Sequence, residues 1–161
     1  MAPTAKPAPE SDETIELTLT RRFDAPAAEV FAAWTDPARI GRWIGPRGVS
    51  AEAKQMELRP GGAYAVAMHL PSGEIRTVRG VYREILPPER LVFTWVWDGE
   101  DGTPRHETLV TITFRALGRG EVSVTEMTFH HQRFADESTR DHHQVGWIGS
   151  FDKLSEFLAQ K

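Results

Sequence analysis

Apolar and polar residues alternate along most of the chain between residues 52 and 130, and this period of two predicts a series of β-strands. Short clusters rich in Gly and Pro interrupt the alternation, such as Arg59-Pro60-Gly61-Gly62. Strands joined by such short turns are antiparallel neighbours, so an antiparallel meander is expected. The predicted strands lie at 55–58, 64–70, 74–86, 90–98, 106–116 and 121–130.

The segment before this series predicts one more strand, at 15–23, followed by two short helices. Asp24 with Pro26, and Asp36 with Pro37, provide an N-cap and a first-turn proline for each helix. Two short helices after the first strand are therefore expected.

The C-terminal segment predicts one long helix. Its apolar residues Trp147, Phe151, Leu154 and Leu158 are spaced by four, three and four, and the capping box at 138–141 predicts its start. The small residues Gly146, Gly149 and Ser150 flank Trp147 and Phe151 and are expected to let this helix approach the sheet closely. One long helix packed on one antiparallel sheet is an α+β architecture.

The composition is that of an ordinary globular protein, with 161 residues, 40% hydrophobic residues and a formal net charge of -4. Residues 1–13 are expected to be a disordered tail and 14–161 a single domain. The acidic balance argues against nucleic-acid binding, and no apolar run is long enough for membrane insertion. The absence of cysteine fits a cytoplasmic location.

Four segments carry a family resemblance. They are FDAPAAEVFAAWTDPARIGRWIGP (23–46), MELRPGGAYAVAM (56–68), GVYREILPPERLVFTW (80–95) and GWIGSFDKL (146–154). They resemble the START-like, or SRPBCC, superfamily, and within it the branch named after the activator of heat shock protein 90 ATPase. The resemblance spans residues 15–159.

This resemblance implies a helix-grip fold, in which a curved antiparallel sheet of six or seven strands wraps around the long C-terminal helix. It also implies a cavity between sheet and helix that usually takes apolar ligands. The superfamily includes carriers, cyclases, hydrolases and co-chaperone domains, so the fold alone does not give the function.

Large aromatic residues at Phe93, Trp95 and Trp97 share one face of a predicted strand. Such a face is either hydrophobic core or, at its wider end, the wall of an apolar pocket. Trp95, Trp97 and Thr108 are expected nearer the pocket mouth, with Val110 and Ile112 in the core. The residues expected to bind a ligand are Trp34, Trp43, Val66, Met68, Phe93, Trp95, Trp97, His106, Thr108, Val110, His143, Trp147 and Phe151.

The histidines occur as two adjacent pairs, His130-His131 and His142-His143. Adjacent residues diverge on a strand or a helix, so each pair supplies at most one inward ligand, and no metal site or cofactor is expected. Solvated or loop-facing histidines are the favoured interpretation. His143 is the exception, because it lies four residues before Trp147 and extends the buried stripe toward the pocket.

Acid–base chemistry has two weak candidates, His143 and Glu126. Val122 and Val124 have the opposite parity to the apolar residues after Glu126, which predicts a β-bulge near Thr125-Glu126. Arginines at 39, 42 and 47 could line a pocket rim and attract an acidic ligand, or they could form a solvated helix face.

Three functions remain open on the sequence. The leading hypothesis is non-catalytic binding of a small apolar or amphipathic molecule. The alternatives are a cyclase- or hydrolase-type enzyme and a co-chaperone-like module for heat shock protein 90. The sequence leaves open whether the chain is a monomer or a homodimer.

Overall fold

The computed structural model describes residues 15–99, 101–118 and 123–160. The predicted tail at 1–13 and the first two residues of the strand expected at 121–130 lie outside the described residues. The helices are α1 (Ala27–Thr35), α2 (Pro37–Ile40) and α3 (Glu137–Ala159). The strands are β1 (Glu16–Phe23), β2 (Ser50–Met56), β3 (Ala63–His69), β4 (Ile75–Leu86), β5 (Arg90–Trp97), β6 (Thr108–Ala116) and β7 (Thr125–Gln132).

The seven strands form one curved antiparallel sheet in the order β1-β7-β6-β5-β4-β3-β2. Strands β2 to β6 each pair with the next strand along the chain, and β1 completes the sheet by pairing with β7. This confirms the predicted α+β helix-grip architecture, with two short helices after the first strand.

The long helix α3 spans 23 residues, which corresponds to roughly 35 Å. Its buried residues include the predicted stripe of Trp147, Phe151, Leu154 and Leu158. The helix begins earlier than the predicted capping box, because Asp136 provides the N-cap: its Oδ1 accepts a hydrogen bond of 2.7 Å from the Thr139 N–H.

The two short helices differ in their caps. The prediction for α2 is confirmed, since the Asp36 carboxylate accepts a hydrogen bond from the Ala38 N–H at 2.9 Å. The prediction for α1 is wrong: its N-cap is Pro26, with no side-chain hydrogen bond, so Asp24 lies too early to cap it.

The predicted bulge near Thr125-Glu126 is also wrong. Pairing between β6 and β7 runs without a break from Leu109–Gln132 to Ala116–Thr125. Val124 precedes the strand, so its parity places no constraint on the pairing, and Val122 lies outside the described residues. Register shifts occur instead in the pairing of β2 with β3 and of β4 with β5.

Aromatic side chains fill the space between the sheet, α1 and the C-terminal half of α3. Trp34 of α1 lies at their centre, with its ring centroid 4.7 Å from Trp43, 6.1 Å from Phe129 and 6.2 Å from Phe151. The inward residues of β6 and β7 continue this core, because alternate residues of both strands are buried.

Candidate functional site

A cavity of about 970 Å³ opens between the sheet and the N-terminal half of α3. Its walls come from β3 to β6, from the segment after Ile40, from the turns between β3 and β4 and between β5 and β6, and from α3 with the residues just before it. Seven residues from the predicted ligand-binding set line it: Met68, Trp95, Trp97, His106, Thr108, His143 and Trp147.

The other six predicted residues lie outside this cavity. Trp34, Val66 and Phe93 line a separate void of about 20 Å³, which Trp95 also borders. Trp43, Val110 and Phe151 line neither space and belong to the hydrophobic core. These six residues were expected to bind a ligand because they occupy inward-facing positions. Core residues and cavity residues share such positions.

His143 forms part of the cavity wall through hydrogen bonds at both ring nitrogens. Its Nδ1 lies 2.8 Å from the Thr139 carbonyl oxygen, and its Nε2 lies 2.9 Å from the indole Nε1 of Trp97. A carbonyl only accepts, so Nδ1 carries the proton and Nε2 accepts from the indole. Burial is the main reason why the pKa of His143 lies below its usual value.

His131 is the residue that sequence reasoning missed. It is fully buried, which contradicts the interpretation of the paired histidines as solvated or loop-facing. Its Nδ1 accepts a hydrogen bond of 3.1 Å from the Trp147 indole, so its Nε2 donates to Thr108 Oγ1, 2.7 Å away. Burial, and secondly the proximity of His143, hold the pKa of His131 well below its usual value.

The signal for His131 was present in the sequence. It lies two residues after Phe129 and four after Met127, which share one parity along the strand and are both buried. Extending that period of two by one step buries His131 and leaves His130 on the outer face, where His130 is hydrogen-bonded to Glu16.

The hydroxyl of Thr108 is held between two partners. It donates to the Trp95 carbonyl oxygen at 2.9 Å and accepts the His131 N–H. Because Nε2 of His131 bears the proton, His131 is oriented as a donor to Thr108 and not as a base that would activate it. The pair is therefore a structural hydrogen-bond relay.

The prediction that Glu126 is an acid–base group of the cavity is wrong. It is an outward residue of β7, on the parity opposite to the buried Met127. Its carboxylate pairs with Arg115 at 3.1 Å and with Arg22 at 3.5 Å. The strand alternation itself explains this placement.

The loop 45–49 forms one side of the cavity and is attached to α3 by several polar contacts. Gly45 N–H donates to Ser150 Oγ at 3.0 Å, and Lys153 Nζ donates to the carbonyl oxygens of Pro46 and Val49. A Cβ built on Gly149 would lie 3.5 Å from the Cα of Pro46. Gly149 therefore packs against this loop.

The predicted role of Gly146 in close packing is wrong, since a Cβ added there would meet nothing within 4 Å. Gly146 borders the cavity.

The arginines that were considered as a pocket rim have other partners. Arg39 pairs with Asp36, Arg47 pairs with Glu156, and the Arg42 guanidinium lies 5.5 Å from the ring centroid of Phe157. None of the three lines the cavity.

Two buried indole N–H groups, those of Trp34 and Trp95, have no hydrogen-bond partner among the described residues. Each indole lies in an edge arrangement with a neighbouring ring, at 77° for Trp34 with Trp43 and 90° for Trp95 with Trp97.

The family model described as "Activator of Hsp90 ATPase homolog 1-like protein" matches residues 24–159. The chain belongs to this family. Solved structures show the same fold: protein CV1439 from Chromobacterium violaceum is 24% identical with a TM-score of 0.81, covering 91% of this chain and 99% of that chain. The AHSA1 protein from Silicibacter pomeroyi is 27% identical with a TM-score of 0.79, covering 89% and 97%.

A third similar solved structure is that of CalU16 from Micromonospora echinospora, which is 27% identical with a TM-score of 0.61 and covers 90% of this chain and 76% of that chain. No curated protein matches the sequence. The predicted membership of the START-like superfamily, in the branch of the Hsp90 ATPase activator, is thus confirmed.

In this AHSA1-like chain, the described residues contain no group of three or more His, Asp or Glu side chains arranged to hold a metal ion. None of the described helices is both long and apolar enough to span a membrane.

Proposed function

We propose that this protein binds a small apolar or amphipathic molecule in the cavity between the sheet and the N-terminal half of α3. The observation that carries the proposal is the cavity itself: about 970 Å³, with three tryptophans, Trp95, Trp97 and Trp147, in its wall. Small-molecule sites are typically about 300–1,000 Å³ and mainly apolar.

The hydrogen bonding of the wall supports an apolar occupant. Thr108 Oγ1 and Ser150 Oγ each have one donor and one acceptor partner within the protein. Both nitrogens of His143 and the indole N–H groups of Trp97 and Trp147 are also engaged. Apart from the unpaired Trp95 indole N–H, a ligand that demanded hydrogen bonds from these groups would have to break their contacts, whereas an apolar ligand would not.

The same contacts favour binding over acid–base catalysis. The free lone pair of His143 accepts from Trp97, His131 donates to Thr108, and Glu126 lies on the outer face. A general base needs an available lone pair within reach of the substrate, and neither histidine offers one in this arrangement.

Gly146 provides a direct test, because its Cβ position is open space beside the cavity. Gly146→Leu is expected to narrow the cavity beside α3 and to weaken binding of decanol, a neutral probe with an apolar body, measured by tryptophan fluorescence. Gly146→Ala is the matched control: it is expected to retain binding and to raise the free energy of unfolding by about 1 kcal/mol through helix propensity.

The proposal fails if decanol does not bind the wild-type protein, or if Gly146→Leu binds it as tightly as Gly146→Ala does. A urea titration of both variants checks that each is folded. Because neither substitution meets neighbouring atoms at its Cβ, both are expected to unfold at wild-type urea concentrations or above.

A further inference from the structure

We propose that the natural ligand is an amphipathic organic anion, whose apolar body occupies the cavity and whose carboxylate, or a similar acidic head, binds Arg105 at the rim. This inference rests on the proposed function and specifies the class of ligand. It follows from a contrast among the described residues: the side-chain polar groups discussed above for the wall are paired within the protein, apart from the Trp95 indole N–H, whereas Arg105 at the rim has no ion-pair partner.

The charged side chains that line the cavity lie at its rim, and most have partners. Arg76 pairs with Glu74 at 3.1 Å, and Asp98 forms two hydrogen bonds with Arg79, at 2.8 Å and 2.7 Å. A third carboxylate, that of the N-cap residue of α3, accepts from the backbone of the first helical turn. The Arg76–Glu74 and Asp98–Arg79 groups are thus compensated by ion pairs, and the N-cap carboxylate is stabilised by the N-terminus of the helix.

Arg105 differs from these residues. Among the described residues, its guanidinium makes no ion pair or side-chain hydrogen bond, although Asp101 lies close enough to interact with it electrostatically. The Asp101 carboxylate accepts hydrogen bonds from the N–H and hydroxyl groups of Thr103, so its charge is already partly compensated. A guanidinium left available in this way suits a carboxylate or sulfonate, which it binds through paired N–H donors.

The backbone fixes Arg105 beside the apolar wall. Its N–H donates to the Trp97 carbonyl oxygen at 2.8 Å, and a β-bridge between Asp98 and Pro104 closes the turn. A ligand whose tail lies against the Trp97 ring therefore has its head within reach of this arginine. Two exposed histidines, His106 and His142, also border the rim and interact electrostatically with Asp136.

The head of the ligand is tested with three probes that share one tail: decanoate, decanol and decylamine. Binding to the full chain at neutral pH is measured by tryptophan fluorescence and by calorimetry. Decanoate is expected to bind most tightly and decylamine most weakly. Raised ionic strength is expected to weaken decanoate binding and leave decanol binding unchanged, because an exposed charge contact is screened by salt.

Substitutions at Arg105 test the contribution of its charge separately from that of the apolar cavity. Arg105→Gln is expected to weaken decanoate binding by about three- to tenfold without changing decanol binding, and Arg105→Glu is expected to favour decylamine over decanoate. Arg39→Gln is the matched control, since Arg39 is exposed and lies outside the cavity, and it should bind all three probes as the wild type does.

The possible results distinguish the two proposals. If decanol and decanoate bind equally well and Arg105→Gln changes neither affinity, the inference about the acidic head is overturned and the apolar cavity stands. If none of the three probes binds, both proposals fail. If Arg39→Gln weakens decanoate binding as much as Arg105→Gln does, the effect is one of net charge and the assignment of Arg105 is wrong.

Discussion

The two halves of α3 face the same sheet but enclose different environments. Around Phe151 the C-terminal half is packed, with ring centroids 5.1 Å from Phe129 and 6.4 Å from Trp43. The N-terminal half, from His143 to Ser150, faces a cavity of about 970 Å³. The aromatic face of β5 passes from one environment to the other, since Phe93 lies in the core and Trp97 in the cavity wall.

The difference comes from what lies between sheet and helix. Beneath the C-terminal half, Trp34 from α1 and Trp43 after α2 fill the space. Beside the N-terminal half there is the loop 45–49, which Ser150 and Lys153 hold at the side of the cavity. Cavity space in this protein is therefore set by where α1 and the segment after α2 place Trp34 and Trp43, because β5 presents aromatic residues to both environments.

The largest expected effect on stability compares the packing beside the two halves of α3. Phe151→Ala removes a fully buried ring and is expected to lower the free energy of unfolding by about 3–5 kcal/mol. Trp97→Ala removes a larger but half-buried side chain, and is expected to cost only about 1–2 kcal/mol, mainly through its hydrogen bond to His143. Urea unfolding measures both changes. Equal costs would show that the two halves are equally packed.

The pH dependence of stability is expected to come from the cavity end of the molecule, where buried His131 of β7 is hydrogen-bonded to Trp147 and partly buried His143 lies in the cavity wall. The folded protein favours neutral His131 and His143, whose pKa values are lowered, whereas the unfolded chain takes up protons near the ordinary value of 6.5. Stability is therefore fully present above pH 6.5 and is lost as pH falls toward the lowered folded values.

Urea unfolding between neutral and mildly acidic pH measures this loss, and each unit of pKa depression corresponds to about 1.4 kcal/mol. His143→Gln is expected to flatten part of the pH dependence, because it removes one of the two titrating rings. The matched control is His69→Gln, at the end of β3, which should leave the slope unchanged. A slope that is the same in all three proteins would contradict this origin.

The regular parts of this architecture were predictable from the sequence because each has a local signal. The alternation along β5, the stripe on α3 and the cap at Asp36 follow from periodicity and from short-range hydrogen bonding. The same helical spacing placed His143 one turn before Trp147, toward the cavity wall, where the structure has it.

The parts that sequence reasoning missed depend on contacts between distant segments. Whether an inward residue such as Trp43 or Met68 meets core or cavity depends on what α1 and α2 place opposite it, and no local pattern encodes this. The attachment of Pro46 to Lys153 is of the same kind. His131 is the exception, since an alternation that was already recognised predicts its burial.

The smallest expected effect on stability is that of a substitution at Glu126, which compares the outer face of the sheet with the inner one. Glu126→Gln removes a carboxylate that pairs with Arg22 and Arg115 on the outer face, so the free energy of unfolding is expected to change by no more than about 1 kcal/mol. Decanol titration should give the wild-type affinity, because β7 separates this side chain from the cavity. A loss of binding in a folded Glu126→Gln protein would mean that the outer face of β7 contributes to the ligand site, and the assignment of the cavity to the inner face would have to be abandoned.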